Sequence, residues 1–126
     1  MIVGIGVDEV EVARFAASLG RTPTLARRLF TDGERAYCEQ AQGTTAVQRF
    51  AVRFAAKEAV LKAMGEGLGA CSFHDIEVVR AEGGAPSLAL HGGAAALAKD
   101  RGVDRWHVSL SHTEQRATAF VVAEGA

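Results

Sequence analysis

The chain reads as an α+β domain. One strand pattern opens it, helical periodicities fill the stretch up to Met64, and alternating apolar patterns dominate the remainder. Helices that cluster early and strands that cluster late argue against regular β-α alternation.

Residues 2–8 alternate strictly. Val3, Ile5 and Val7 share one face, while Gly4, Gly6 and Asp8 share the other. The spacing predicts a strand with one bulky face and one bare face, and glycine within a strand marks the close approach of another group. Val12, Phe15, Ala16 and Leu19 then fit one side of a short helix, with Gly20 as its C-terminal cap. Thr22-Pro23 predicts a second helix with proline at its first position. Thr31-Asp32-Gly33-Glu34 has the capping-box pattern of a third.

A long helix is predicted from about Thr45 to Met64, ended by the Gly65, Gly67 and Gly69 loop. Strands are predicted at Phe73–Arg80, Ser87–His91, Trp106–His112 and Ala117–Ala123. Turns fall at Glu82-Gly83-Gly84 and Thr113–Arg116. An alanine-rich helix over Gly93–Lys99, closed by Gly102, completes the pattern.

The 126 residues fit one domain, 1–126, with no linker or repeat. A chain of this size buries roughly two thirds of its unfolded surface and needs no metal or disulfide staple. A net charge of −1 excludes a general nucleic-acid binder. No run approaches the length of a membrane span, and the N-terminus lacks a basic signal-peptide region. Cys38 and Cys71 have no metal-ligand spacing and read as thiols of a reducing compartment, so a cytoplasmic setting is expected.

The positive charge is mostly arginine. Only three lysines occur, and Lys57 and Lys62 bracket Glu58 in one run. On a helical wheel Phe50, Phe54 and Leu61 centre an apolar stripe. Ala51, Ala55, Glu58 and Lys62 follow one edge of it, and Lys57 lies on the other edge. Glu58 and Lys62 fit either a surface i,i+4 ion pair or a phosphate-and-metal pair. Asp8 fits either a helix N-cap with Glu11 or a ligand-facing carboxylate. Two carboxylates and a lysine suit Mg2+ with a phosphate ligand, but spacing alone does not bring Asp8 to Glu58. His107, Ser109 and Ser111 share a strand face. Ser111 and His112 point to opposite faces, which disfavours a hydrolase triad and favours donors to a phosphate. From Val12 to Thr31 there is no acidic residue, so Arg14, Arg21, Arg27 and Arg28 form a basic surface suited to solvent or to an acidic partner.

Three blocks together carry a resemblance: Gly4-Ile5-Gly6-Val7-Asp8; Arg53-Phe54-Ala55-Ala56-Lys57-Glu58-Ala59 with Lys62 and Gly65-Glu66-Gly67; and His107-Val108-Ser109-Leu110-Ser111-His112-Thr113. They resemble the signature blocks of the holo-acyl-carrier-protein synthases, the small stand-alone 4′-phosphopantetheinyl transferases, over essentially the whole chain. The resemblance implies an antiparallel sheet against a long helix, with small helices near the N-terminus. It implies transfer of the phosphopantetheine arm of coenzyme A to a serine of apo acyl carrier protein, in fatty acid biosynthesis, leaving adenosine 3′,5′-bisphosphate. The alternative is a non-catalytic coenzyme A or nucleotide-binding module, against which the two carboxylates and Lys62 weigh.

By resemblance, Asp8 and Glu58 hold Mg2+, and Asp8, Glu58 and Lys62 are catalytic. Arg53, Lys62, Gly65, Pro86, Ser111 and His112 contact coenzyme A. Arg14, Arg21 and Arg28 dock the acidic carrier protein. Glu58 is the first choice as proton acceptor and His112 the second. The resemblance further implies a homotrimer with sites between subunits, Asp8 and Glu58 coming from one chain and Ser111 and His112 from the next, and with a neighbour covering the Gly4/Gly6 face. Lys57 is expected to brace the site or a subunit contact. Glu66 departs from the family's usual small hydroxyl residue and is expected to face solvent.

Overall fold

The computed structural model describes residues 1–81 and 83–126. Its elements run β1 (Ile2–Glu11), α1 (Val12–Arg21), α2 (Leu25–Leu29), α3 (Asp32–Glu39), α4 (Gly43–Ala63), β2 (Ile76–Arg80), β3 (Pro86–Leu90), α5 (Gly92–Asp100), β4 (Arg105–His112) and β5 (Arg116–Glu124). Strands β1, β5 and β4 form an antiparallel sheet in that order, and β2 with β3 forms a separate hairpin. The α+β class and the antiparallel sheet on a long helix are as the sequence predicts.

The centre of the domain is the contact between α4 and the larger sheet. Alternation along β1 turns Gly4 and Gly6 toward the helix. A Cβ on Gly4 would fall inside the shell of the Ala63 carbonyl, and one on Gly6 inside that of Ala59. The helix answers with small residues. Ala55, Ala59 and Ala63 pack with Ala119, Val121 and Ala123 of β5. The bare glycine face is thus covered by the chain's own helix rather than by a neighbour. The bulky face points outward, leaving Ile5 at 55%, Val7 at 50% and Phe120 at 46% exposure.

A second apolar cluster joins the short helices to the start of α4. Phe15 lies 5.0 Å from Phe54, and Phe30 lies 4.9 Å from Phe50, ring centre to ring centre. Helix α4 is therefore buried on more than the one stripe drawn by the wheel. Arg53 and Lys57, on the far side from the sheet, are as buried as the alanines.

Several boundaries differ from expectation. Strand β1 continues to Glu11 because β5 pairs with it that far, Asp8 lying opposite Ala119. Asp8 is therefore not a helix cap. Gly20 lies within α1 rather than after it, and Thr22 follows as its C-cap. Pro23 lies before α2, whose N-cap is Thr24. Residues Phe73–Asp75 form a 3-10 turn capped by Ser72, so β2 starts later than predicted. The capping box at Thr31 and Glu34 is present in full. The turn at Thr113 is closed by Thr113 N–H donating to Arg116 O at 2.8 Å. Of the predicted turn at 82–84, Glu82 lies outside the described residues, and Gly83 and Gly84 both have positive φ.

Two glycine substitutions separate close packing from backbone propensity. Gly6→Ala is expected to lower the unfolding free energy by about 3 kcal/mol, the upper end for an overpacked core. Gly20→Ala meets nothing in space and is expected to raise it by about 0.5–1 kcal/mol through helix propensity. Urea denaturation of the two variants against the parent measures both.

Candidate functional site

The β1–α4 contact sets up the first of two clefts. Two residues beyond Gly6 on the same side of β1 comes Asp8. On α4 it meets Lys62, whose Nζ donates to Asp8 Oδ1 at 3.0 Å and to the Val7 carbonyl at 3.0 Å. Asp8 and Glu58 line one cleft of about 520 Å³ with Arg14, Phe15, Phe54 and Leu68. Thus the chain brings together Asp8, Glu58 and Lys62, fifty residues apart in sequence. Lys62 takes Asp8 as its partner rather than Glu58, so the surface i,i+4 pair is not what forms.

Electrostatics single out Glu58. Burial raises its pKa above the ordinary carboxylate value, the Asp8 charge raises it further, and Lys62 offsets part of this. Two carboxylates held together against their repulsion suit a cation between them. Asp8 is largely covered, whereas Lys62 remains half exposed and able to reach a ligand.

The second cleft, about 430 Å³, contains Arg53, Pro86 and His112, joined by Tyr37, Arg49 and Arg80. The guanidinium carbons of Arg49, Arg53 and Arg80 lie 4.3, 4.5 and 5.0 Å from the centre of the Tyr37 ring. Arg49 donates to Tyr37 O at 2.9 Å, and Arg53 donates to Arg49 O at 3.1 Å. The buried Arg53 Nε has no hydrogen-bond partner among the described residues. Burial pulls the Arg53 pKa down, with Cys38 and Tyr37 acting the other way. Three cations around one aromatic ring make an anion-seeking surface with a flat apolar wall.

Among the described residues, none lines both clefts. Arg53 and Glu58 stand about 140° apart around α4, so one helix serves two separate surfaces. Ser111 lies on the exposed outer face of β4, opposite Thr118. Gly65 ends α4 with φ +73°. Arg14, Arg21 and Arg28 are all exposed on α1 and α2. Arg28 lines a smaller cleft that shares Leu29, Leu68 and Phe73 with the first.

Lys57 is fully buried. Its Nζ donates to Glu34 Oε1 at 2.8 Å, to Phe73 O at 3.0 Å, and to Ile76 O. All three ammonium protons therefore have acceptors. Glu34 also takes the Thr31 N–H at 3.0 Å and the Val78 N–H at 2.9 Å. Burial lowers the Lys57 pKa, and Glu34 counters it by charge and hydrogen bond. The lysine ties α4 to α3 and β2, and it lines neither cleft.

The sequence reading missed Tyr37, Arg49, Arg80 and Glu34. Arg49 was within reach, since it lies one turn before Arg53. Tyr37 and Arg80 come from α3 and β2, and nothing local in the sequence points from either to the helix. Glu34 was read as a cap, which it is, but its second oxygen and its burial depend on β2 and α4.

Solved structures share this arrangement of helix and sheets. A holo-[acyl-carrier-protein] synthase from Neisseria meningitidis superposes with a TM-score of 0.88 at 36% identity, over 98% of this chain and 99% of that one. The Bacillus anthracis holo-(acyl-carrier-protein) synthase in complex with CoA (3′,5′-ADP) superposes at 0.83, also at 36% identity, over 100% and 99%. In sequence, the chain is 52% identical to the holo-[acyl-carrier-protein] synthase of Clavibacter michiganensis subsp. michiganensis, across 99% of this chain and 98% of that protein. The family described as the 4′-phosphopantetheinyl transferase superfamily matches residues 4–121. The chain belongs to that superfamily.

Lys57 and Lys62 make separable predictions. Lys57→Met leaves Glu34 charged, buried and short of its partner. It is expected to cost about 3–5 kcal/mol of stability. The double variant Glu34→Gln/Lys57→Met is expected to recover part of that loss. Lys62→Met, at a half-exposed position, is expected to change stability by no more than about 1 kcal/mol. Chemical denaturation of the three variants decides this.

Proposed function

We propose that this chain transfers the 4′-phosphopantetheine arm of coenzyme A to a serine of an acidic apo acyl carrier protein, releasing adenosine 3′,5′-bisphosphate. The observation that carries the reading is the meeting of Asp8 and Glu58 in one cleft, with Lys62 bonded to Asp8 beside it. The carrier serine Oγ attacks the phosphorus that bears pantetheine. The P–O bond of the pyrophosphate breaks, and the bisphosphate leaves with the bridging oxygen. Glu58, which lines the cleft beside Asp8, is the acceptor of the serine proton. His112 is the second candidate. Lys62 turns its ammonium to the pyrophosphate and stabilises charge as it develops.

Asp8 and Glu58 fit Mg2+. They share a cleft, they are the two carboxylates that such an ion commonly takes alongside waters and phosphates, and a cation relieves their repulsion. When bound, Mg2+ supplies charge neutralisation to the pyrophosphate oxygens.

The arginine cleft suits the nucleotide end of coenzyme A. Arg49, Arg53 and Arg80 with His112 offer donors to phosphate, and Tyr37 and Pro86 offer flat apolar surface. Ser111, on the outer sheet face, and Gly65, after α4, line neither cleft of this chain. The exposed Arg14, Arg21 and Arg28 beside the first cleft suit the acidic carrier protein. The family resemblance implies a homotrimer, and two features favour sites between subunits. The clefts are separate within one chain, and the outer sheet face carries exposed Ile5, Val7 and Phe120. The reading places the enzyme in the cytoplasm, in service of fatty acid biosynthesis. Among the described residues no helix is long and apolar enough to cross a membrane, and both cysteines are free.

Incubation with apo carrier protein, coenzyme A and Mg2+ is expected to add the phosphopantetheine arm, read by intact-protein mass spectrometry. Chelation should abolish the addition, and Mg2+ should restore it. Asp8→Asn and Glu58→Gln are each expected to slow transfer at least ~100-fold, and Lys62→Arg about tenfold or more. No addition to any of several carrier proteins would sink the reading. Mixing and reassembling Glu58→Gln with His112→Ala protomers tests the shared site. Random assembly leaves about a quarter of composite sites intact, whereas sites built within one chain regain nothing.

A further inference from the structure

The loop after α4 is held by one side-chain pair. Gly65 N–H donates to Lys62 O at 3.0 Å and Glu66 N–H to Leu61 O at 2.9 Å, a Schellman closure of the helix. From there the loop makes one further backbone bond, Ala70 N–H to Gly67 O at 3.3 Å, and Leu68, between Gly67 and Gly69, lines the Asp8–Glu58 cleft. Among the described residues, the one side-chain hydrogen bond made from 65–70 is that of Glu66 Oε2, which accepts from Arg101 Nη2 at 2.8 Å. Arg101 is the C-cap of α5 and is itself anchored, its N–H donating to Leu97 O at 3.0 Å. Helix α5 is seated in the core by Ala94 and Ala98. Glu66 is therefore not a free solvent-facing carboxylate.

Such a pair contributes little to global stability, because its side chains are 38% and 26% exposed. Its position gives it a different use. It joins a loop with little stiffness of its own to a fixed helix. It also neutralises a carboxylate that stands four residues from Lys62, where the proposed substrate brings its pyrophosphate. We infer that the Glu66–Arg101 pair tethers the glycine loop along the Asp8–Glu58 cleft and screens the Glu66 charge from an anionic substrate. Both are positioning residues for coenzyme A binding. The substrate part of this inference rests on the transfer proposed above; the tether does not.

The two roles predict an asymmetry. Removing Arg101 frees the loop and exposes a negative charge to the substrate, whereas removing the charge of Glu66 frees the loop and leaves a cation that attracts the substrate. Arg101→Met is expected to raise KM for coenzyme A about fivefold at low salt. Glu66→Gln should raise it about twofold, and Glu66→Gln/Arg101→Met should fall between the two single variants, with the effects falling on KM rather than kcat. The gap between the single variants should narrow as salt rises. Hydrogen exchange read by mass spectrometry on the full chain without substrate should be faster at 65–70 in both single variants, with the thermal midpoint held. Unchanged exchange in both variants overturns the tether. Equal KM values for Arg101→Met and Glu66→Gln overturn the screening role. A parent that neither binds coenzyme A nor transfers from it overturns the functional reading and the positioning role together, and exchange still decides the tether.

Discussion

The site depends on how closely β1 lies against α4. Glycine at 4 and 6 lets the strand backbone reach the helix backbone at Ala63 and Ala59. Alternation then puts Asp8 on the same side, and the helical repeat puts Glu58 and Lys62 beside it. The carboxylates do not attract one another; Asp8 raises the pKa of Glu58. Their proximity is imposed by packing. Like charges at a partly exposed surface cost on the order of 1 kcal/mol. Each apolar carbon buried at the contact contributes about 0.8 kcal/mol, and Ala55, Ala59, Ala63, Ala119, Val121 and Ala123 all meet there. The apolar contact wins, and the repulsion remains at the cleft, where a cation relieves it.

Two lysines on one helix show how burial divides one side-chain chemistry into two uses. Lys57 is enclosed, and its three protons are spent on Glu34, Phe73 O and Ile76 O. None is free for a ligand. Lys62, five residues on, keeps half its surface in solvent while Asp8 and the Val7 carbonyl hold it in place. A partly committed ammonium at a cleft can change partners when phosphate arrives; a fully enclosed one cannot. Glu34 extends the structural role, joining the cap of α3 to β2 through the Val78 N–H.

Local patterns in the sequence carried most of the fold. The alternation of 2–8, the capping box at Thr31 and the glycines after Met64 each report on neighbours within a turn or a strand pair, and each holds. The failures share a cause. The helix-cap alternative for Asp8 fails because β5, which extends β1 to Glu11, is over a hundred residues away. The wheel drew one apolar stripe on α4, but that helix has the sheet on one side and α3 with β2 on the other. The charged residues of the second side are therefore buried where a one-sided helix would expose them. Asp8, Glu58 and Lys62 could be named from their motifs, but their meeting needed the fold. Tyr37 and Arg80 could not be named at all, since stacking on a shared ring leaves no spacing signal.

Helix α4 also limits what one chain can do alone. Glu58 and Lys62 leave it toward one cleft, Arg49 and Arg53 toward the other, and the helix itself stands between. A ligand with a pyrophosphate at one end of its reach and a nucleotide at the other cannot wrap through the core to use both. The outer face of the sheet has the reverse property. It is apolar and exposed along Ile5, Val7 and Phe120, and it carries Ser111 at its far strand. A neighbouring copy that covers this face can bring its arginine cleft toward this chain's carboxylates. The same contact would then remove the exposed apolar surface and complete the site. In the proposed enzyme that coupling would make assembly a condition of catalysis, because the two clefts of one chain lie on separate sides of α4.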